Sequence, residues 1–70
     1  MSREGSVTVN GSTVPIGPST TVGDLVRSLG YDTSRVAVEL DGGICPRATL
    51  DDVVLSDGQV LEVVGFVGGG

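Results

Sequence analysis

The chain contains no histidine, no lysine and no tryptophan, and only one cysteine, Cys45, among its 70 residues. Without an imidazole, no side chain titrates near neutrality to serve as a general base. A Cys-His nucleophile is excluded, and so is any metal site built from spaced histidines and cysteines. One thiol also excludes an internal disulfide, which suits a reducing compartment, and the cytoplasm is the expected location. Aromatics amount to 3%, one tyrosine and one phenylalanine, so the core has to come from Val, Leu and Ile, a mixture that favours strands. No apolar run approaches the roughly 20 residues that span a bilayer, and Met1-Ser2-Arg3-Glu4-Gly5 has no signal-peptide character. No membrane association is expected.

Positive charge is scarce as well. Four scattered arginines (Arg3, Arg27, Arg35, Arg47) against nine acids leave a net charge of −5 and a pI near 4.1. Phosphate binding needs a basic patch, so nucleic acid is not an expected partner, whereas a basic protein surface is the electrostatic complement. Asp51-Asp52 reads as a solvated turn or helix start, because adjacent carboxylates on irregular backbone do not share a face. Gly42-Gly43 lacks phosphate-loop spacing and reads as a turn. Cys45 reads as a small buried strand residue. An autonomous enzyme is therefore not expected, nor is a bound cofactor or metal.

What is present organises into one small domain with a thin core. Ser6 to Ile16 alternates around Asn10-Gly11, the strongest two-residue hairpin signal, with Pro15 marking an edge or strand end. Thr21 and Asp24 form a capping-box pair, Val22, Leu25, Val26 and Leu29 make one apolar stripe, and Gly30 closes a helix of about nine residues. Val36 to Leu40 is a strand with Val36, Val38 and Leu40 inward. Asp41-Gly42-Gly43 turns the chain into a short strand, Ile44-Cys45, stopped by Pro46. Residues 47–55 read as irregular, with a helical turn around Asp51-Asp52-Val53. After a turn at Ser56-Asp57-Gly58, residues 59–64 form the last strand, with Leu61 and Val63 inward and Val60, Glu62 and Val64 on the open face. A single helix covers one face of one sheet, so the order ββαβ(β)β predicts an α+β, β-grasp fold. Its mixed four- to five-stranded sheet has the first and last strands parallel at the centre.

The sequence ends on Gly68-Gly69-Gly70, immediately after an apolar strand. Glycine has no Cβ, so this stretch can lie extended in a slot too narrow for other residues. A β-grasp domain over residues 1–64 is expected to carry a flexible reactive tail over residues 65–70. The terminal carboxylate of Gly70 is a poor electrophile and needs activation by a partner, as an acyl-adenylate made from ATP. Glycine there leaves the carbonyl carbon unhindered. Phe66 and Val67, with Val60, Glu62 and Val64, form the candidate docking surface beside the tail, and exposed apolar patches of this kind mark interfaces.

Val36-Ala37-Val38-Glu39-Leu40, Pro46-Arg47, Asp57-Gly58 and the ending Phe66-Val67-Gly68-Gly69-Gly70, in that order and over this length, resemble the ThiS/MoaD family of ubiquitin-like sulfur carriers. The absence of proline before the glycines resembles its ThiS side. The resemblance implies a protein with no catalysis of its own. It implies that Gly70 is adenylated by a ThiF-type adenylyltransferase, which consumes the ATP, and converted to a thiocarboxylate with sulfur from a donor such as a cysteine desulfurase. It further implies delivery to thiazole synthase ThiG for thiamin thiazole, or to an acceptor making another sulfur-containing metabolite. A protein modifier conjugated through Gly70 and a plain interaction module with an inert tail are the alternatives. A monomer is expected.

Overall fold

The computed structural model of the chain describes residues 5–66. Two strands, β1 (Gly5–Val9) and β2 (Ser12–Ile16), pair antiparallel in the register Val7 to Val14 and Val9 to Ser12. Asn10 and Gly11 join them at φ 50° and 87°, the doubly left-handed backbone of a type I′ turn. A second turn with the same signs, Asp41 at 51° and Gly42 at 86°, joins β3 (Val36–Leu40) to β4 (Gly43–Cys45). The last strand, β5 (Val60–Gly65), lies in the middle, parallel to β1 and antiparallel to β3. The five-stranded order is β2-β1-β5-β3-β4, which leaves Pro15 on an edge strand, where its missing donor is tolerated.

The single helix, α1 (Val22–Ser28), crosses one face of this sheet. Thr21 Oγ1 accepts from the Asp24 amide at 3.0 Å, and the Thr21 amide donates to Asp24 Oδ2 at 3.1 Å, which completes the expected capping box. The helix is two residues shorter than its apolar stripe suggests. Leu29 is its C-cap and stands 42% exposed, outside the core that Val22, Leu25 and Val26 enter. The reason is a Schellman ending: Gly30 at φ 93° donates to the Arg27 carbonyl and Tyr31 donates to that of Val26, which turns the chain away before Leu29 can pack.

Residues 47–55 also depart from expectation. A single 3-10 turn forms at Arg47–Thr49 rather than around Asp51-Asp52-Val53. The carbonyls of Leu50 and Val53 accept from the Gly23 and Val22 amides at 2.8 and 2.9 Å, so they satisfy the otherwise unpaired start of α1 and are not free for a local helix. Leu50 and Leu55 consequently reach the core, 2% and 5% exposed. The Asp51 carboxylate stands where a side chain on Gly23 would begin, and it pairs with Arg27 at 2.6 Å. A side chain at position 23 would displace this carboxylate from Arg27.

The buried cluster is aliphatic apart from Cys45: Val7, Val9, Ile16, Val22, Leu25, Val26, Val36, Val38, Leu50, Leu55, Leu61 and Val63 fill the space between α1 and the inner sheet face. Leu40 is only partly buried at its edge. At both turns an Asx side chain grips the central strand. Asn10 holds both backbone groups of Val63, at 2.8 and 3.0 Å, while Asp41 accepts from the Val60 amide at 2.9 Å. β5 also runs one residue beyond the expected 59–64. Gly65 pairs with Val36, and the Phe66 amide donates to the Arg35 carbonyl at 2.8 Å, so residues 65 and 66, which the sequence assigns to the tail, are hydrogen-bonded to the domain.

Candidate docking face and tail root

Strand alternation divides the functional residues from the structural ones. Along β5, Leu61 and Val63 are buried, while Val60, Glu62 and Val64 face outward, as the sequence pattern requires. Val60 is 45% and Val64 56% exposed, and Phe66 follows at 54%. The register places Ala37 of β3 opposite Val64 and Glu39 opposite Glu62. Ile44 of β4 stands opposite Glu39 and is 82% exposed, the most open large apolar side chain among the described residues.

These side chains line an open groove of about 550 Å³ whose walls include Ala37, Glu39, Ile44, Pro46, Glu62, Val64 and Phe66. Val60 shares the face but not the groove. It lies beside Thr8 on β1, four residues, or about 13 Å, from Val64. Of the expected docking residues the structure thus brings together Glu62, Val64 and Phe66 and leaves Val60 to one side. Val67, Gly68, Gly69 and Gly70 lie outside the described residues. Ile44 and Ala37 are additions. Ile44 was within reach of the sequence, because a buried Cys45 on a short strand obliges its neighbour to point the other way.

Glu39 and Glu62 are like charges directly opposite on adjacent strands, a locally unfavourable arrangement. Among the described residues no basic side chain relieves it. Arg47 borders the groove, but its Nη1 donates to the Ser34 carbonyl at 2.9 Å, and the ion pairs among the described residues are those of Arg27 with Asp24 and Asp51. The groove is apolar with an acidic centre, suited to a protein surface that carries a basic side chain.

Chemistry within the described residues is sparse. The Cys45 thiol is buried, 4.0 Å from Thr49 Oγ1. No three His, Cys, Asp or Glu residues come together to hold a metal among the described residues. No helix of the described residues is long and apolar enough to cross a membrane. The carboxyls with shifted titration are structural. Asp24 is held below its ordinary range chiefly by the Thr21 amide and hydroxyl, and Asp32 by the Ser34 hydroxyl and amide.

A mixed five-stranded sheet closed over one helix, with parallel β1 and β5 inside it and an apolar outer face beside the last strand, defines a ubiquitin-like β-grasp domain of α+β class. Comparison with known proteins is specific. The family model of the ThiS family matches residues 7–70. The chain belongs to the ThiS family.

The crystal structure of the thiamine biosynthesis protein ThiS from Geobacter metallireducens superposes with a TM-score of 0.74 at 32% identity, covering 93% of this chain and 99% of that one. A thiazole synthase of Paramagnetospirillum magneticum is 40% identical over 62 residues, 89% of this chain but 19% of the synthase. The chain therefore spans about a fifth of the length of that relative. An uncharacterized protein of Pyropia yezoensis, ycf40, is 32% identical over 93% of this chain and 92% of its own length.

Proposed function

We propose that this chain carries sulfur as a thiocarboxylate on Gly70 and donates it to the formation of the thiazole of thiamin. Partner-dependent chemistry follows from what the chain lacks: it has no imidazole and, among the described residues, no clustered metal ligands. The observation that carries the thiazole assignment is the thiazole synthase relative, in which a segment like this chain makes up 19% of a longer protein. A carrier and its acceptor joined in one polypeptide meet at high effective concentration, so the separate chain is read as serving the same kind of acceptor.

The proposed sequence begins with a ThiF-type adenylyltransferase, which takes ATP. The Gly70 carboxylate attacks the α-phosphorus and pyrophosphate leaves. A sulfur nucleophile then attacks the acyl carbon and the C–O bond to AMP breaks. Sulfide gives the thiocarboxylate directly. The persulfide sulfur of a donor such as a cysteine desulfurase instead gives an acyl disulfide, whose S–S bond a thiol reductant cleaves to release the thiocarboxylate. The resulting thiocarboxylate passes its sulfur to thiazole synthase ThiG in the cytoplasm. Gly68 and Gly69 enter the partner's active site, and ATP is bound by the partner. The outer face of Glu62, Val64 and Phe66, with Ile44, holds the body of the domain while Gly70 reacts.

Intact-protein mass spectrometry after incubation with ATP, a ThiF-type enzyme and sulfide tests this reading. Replacement of one oxygen by sulfur is expected, and a chain lacking Gly70 should show none. An unchanged mass with every ThiF-type enzyme tried would overturn it. High-mass conjugates with other proteins instead would point to a protein modifier.

A further inference from the structure

We propose that Tyr31 is a positioning residue that clamps the root of the reactive tail and so sets the direction in which Gly70 is presented. Gly65 is exposed at the end of β5, but it follows Leu61 and Val63 in the alternation, so a side chain there would be directed toward the Tyr31 ring. The Tyr31 ring fills that place. A Cβ built on Gly65 would lie 2.8 Å from Tyr31 Cδ1 and 2.9 Å from Cε1, closer than two carbons can stand. Tyr31 is held there by the Schellman ending of α1, through its amide bond to the Val26 carbonyl, and it packs half-buried on the edge of the core.

On the next residue the Phe66 amide is tied to the Arg35 carbonyl at 2.8 Å. The last residues of the strand are thus fixed from the helix side by a ring and laterally by a hydrogen bond, while Phe66 itself stands on the open side. No hydrogen bond to the Tyr31 hydroxyl is present among the described residues, so packing of the ring rather than its oxygen does the clamping. Glycine at 65 is what admits the ring. This assigns separate tasks to the two sides of the strand end. The outer face sets how tightly a partner binds, and Tyr31 sets how often the bound tail points into the active site, a gain of orientation that appears in turnover.

The proposal rests on the carrier reading, and one of its readouts does not. In Tyr31→Ala the ring is removed; in Gly65→Ala it stays but is displaced by the new Cβ. Both variants should exchange the Phe66 amide about tenfold faster relative to the Val63 amide, in chains whose circular dichroism is that of the wild type. With the ThiF-type enzyme, both should keep its Kd within about twofold while adenylation at saturating carrier slows about tenfold, the equivalent of freeing one backbone residue. Tyr31→Phe should match the wild type in every readout. Val64→Asp should show the opposite split, with a weaker Kd and unchanged saturated rate. The proposal is overturned if Phe66 stays protected in both variants, if adenylation is unaffected while protection is lost, or if Kd and rate fall by the same factor. Should no ThiF-type enzyme act on the wild type, the carrier reading fails, and amide exchange alone decides whether the clamp exists.

Discussion

Asn10 offers the sharpest test of how the sheet holds its functional strand. The residue takes φ 50° in the first hairpin turn, and its carboxamide bonds both ways to Val63: Oδ1 accepts from the amide at 2.8 Å and Nδ2 donates to the carbonyl at 3.0 Å. If Asn10 served only the turn, Asn10→Gly and Asn10→Asp would be close to neutral, since Gly-Gly and Asp-Gly both suit a type I′ turn. The grip on Val63 predicts otherwise. Two hydrogen bonds at about 1 kcal/mol each make Asn10→Gly destabilising by about 2 kcal/mol. Asn10→Asp keeps one acceptor but sets a carboxylate against the Val63 carbonyl, and should cost about as much. Asn10→Ala adds the left-handed penalty of about 1–2 kcal/mol, for a total near 3–4 kcal/mol. A domain this size has only about 4–10 kcal/mol to lose.

Urea denaturation at constant m, supported by thermal melts, reads these values. For a chain of this length each kcal/mol moves Tm by about 4–8 °C, so the glycine variant should melt about 8–16 °C lower. If the glycine and aspartate variants both fall within about 0.5 kcal/mol of the wild type, the side-chain ladder to Val63 contributes nothing and the reasoning is wrong.

Four further perturbations follow from particular contacts. Phe66→Ala removes a half-exposed ring from the docking face, on the order of 100 Å² available to a partner, and should weaken binding to the ThiF-type enzyme by about 2 kcal/mol, about thirtyfold in Kd by calorimetry, with the melt unchanged. Glu62→Gln relieves the opposition to Glu39 and should raise stability by a few tenths of a kcal/mol, while slowing association at low salt in stopped flow. Gly23→Ala, which propensity alone would make stabilising by about 1 kcal/mol, should fall short of that gain in urea, because the new Cβ displaces the exposed Asp51 carboxylate from Arg27. Asp24 is held below its ordinary value of 3.8, so its contribution to stability is full above that pH and is lost as pH falls through the lowered native value. An NMR titration of its carboxylate should move only part of the way back toward the ordinary range in Thr21→Val, which keeps the backbone amide that is the larger cause, and less still in Arg27→Ala.

Local signals made much of this fold legible. Asn10-Gly11 and Asp41-Gly42 mark turns because few residue pairs accept two consecutive left-handed conformations, and Thr21 with Asp24 caps a helix through atoms three residues apart. Alternation along residues 60–64 separates core from docking face without reference to any other strand. What stayed hidden depends on residues far apart in sequence. The Asn10 side chain meets Val63 across 53 positions, and Leu50, whose carbonyl accepts from the Gly23 amide, and Leu55, whose amide donates to the Thr20 carbonyl, are drawn inward in a segment with no periodicity of its own. The end of the helix misled for the same reason: Leu29 continues the stripe, but the hydrogen bonds of Gly30 and Tyr31 close the helix first. At the tail, Gly65 reads as the beginning of a flexible glycine-rich run, and only its pairing with Val36, far off in sequence, shows it to be the end of the strand.

The arrangement puts stability and function on opposite sides of one strand. Leu61 and Val63 face α1 and belong to the core, while Glu62 and Val64, one residue out of phase, contribute little to burial and lie on the proposed docking face. A period of two allows no closer interleaving of the two tasks, and it also forbids slippage, because a one-residue shift of β5 would bury Glu62 and expose Leu61. Asn10 on one side of the strand and Asp41 on the other fix that register with side-chain bonds to Val63 and Val60. The two turns that make the hairpins therefore also fix which face of β5 meets a partner and where its tail begins. For the proposed carrier, whose chemistry would take place in another protein's active site, that alignment is the domain's own contribution to the reaction.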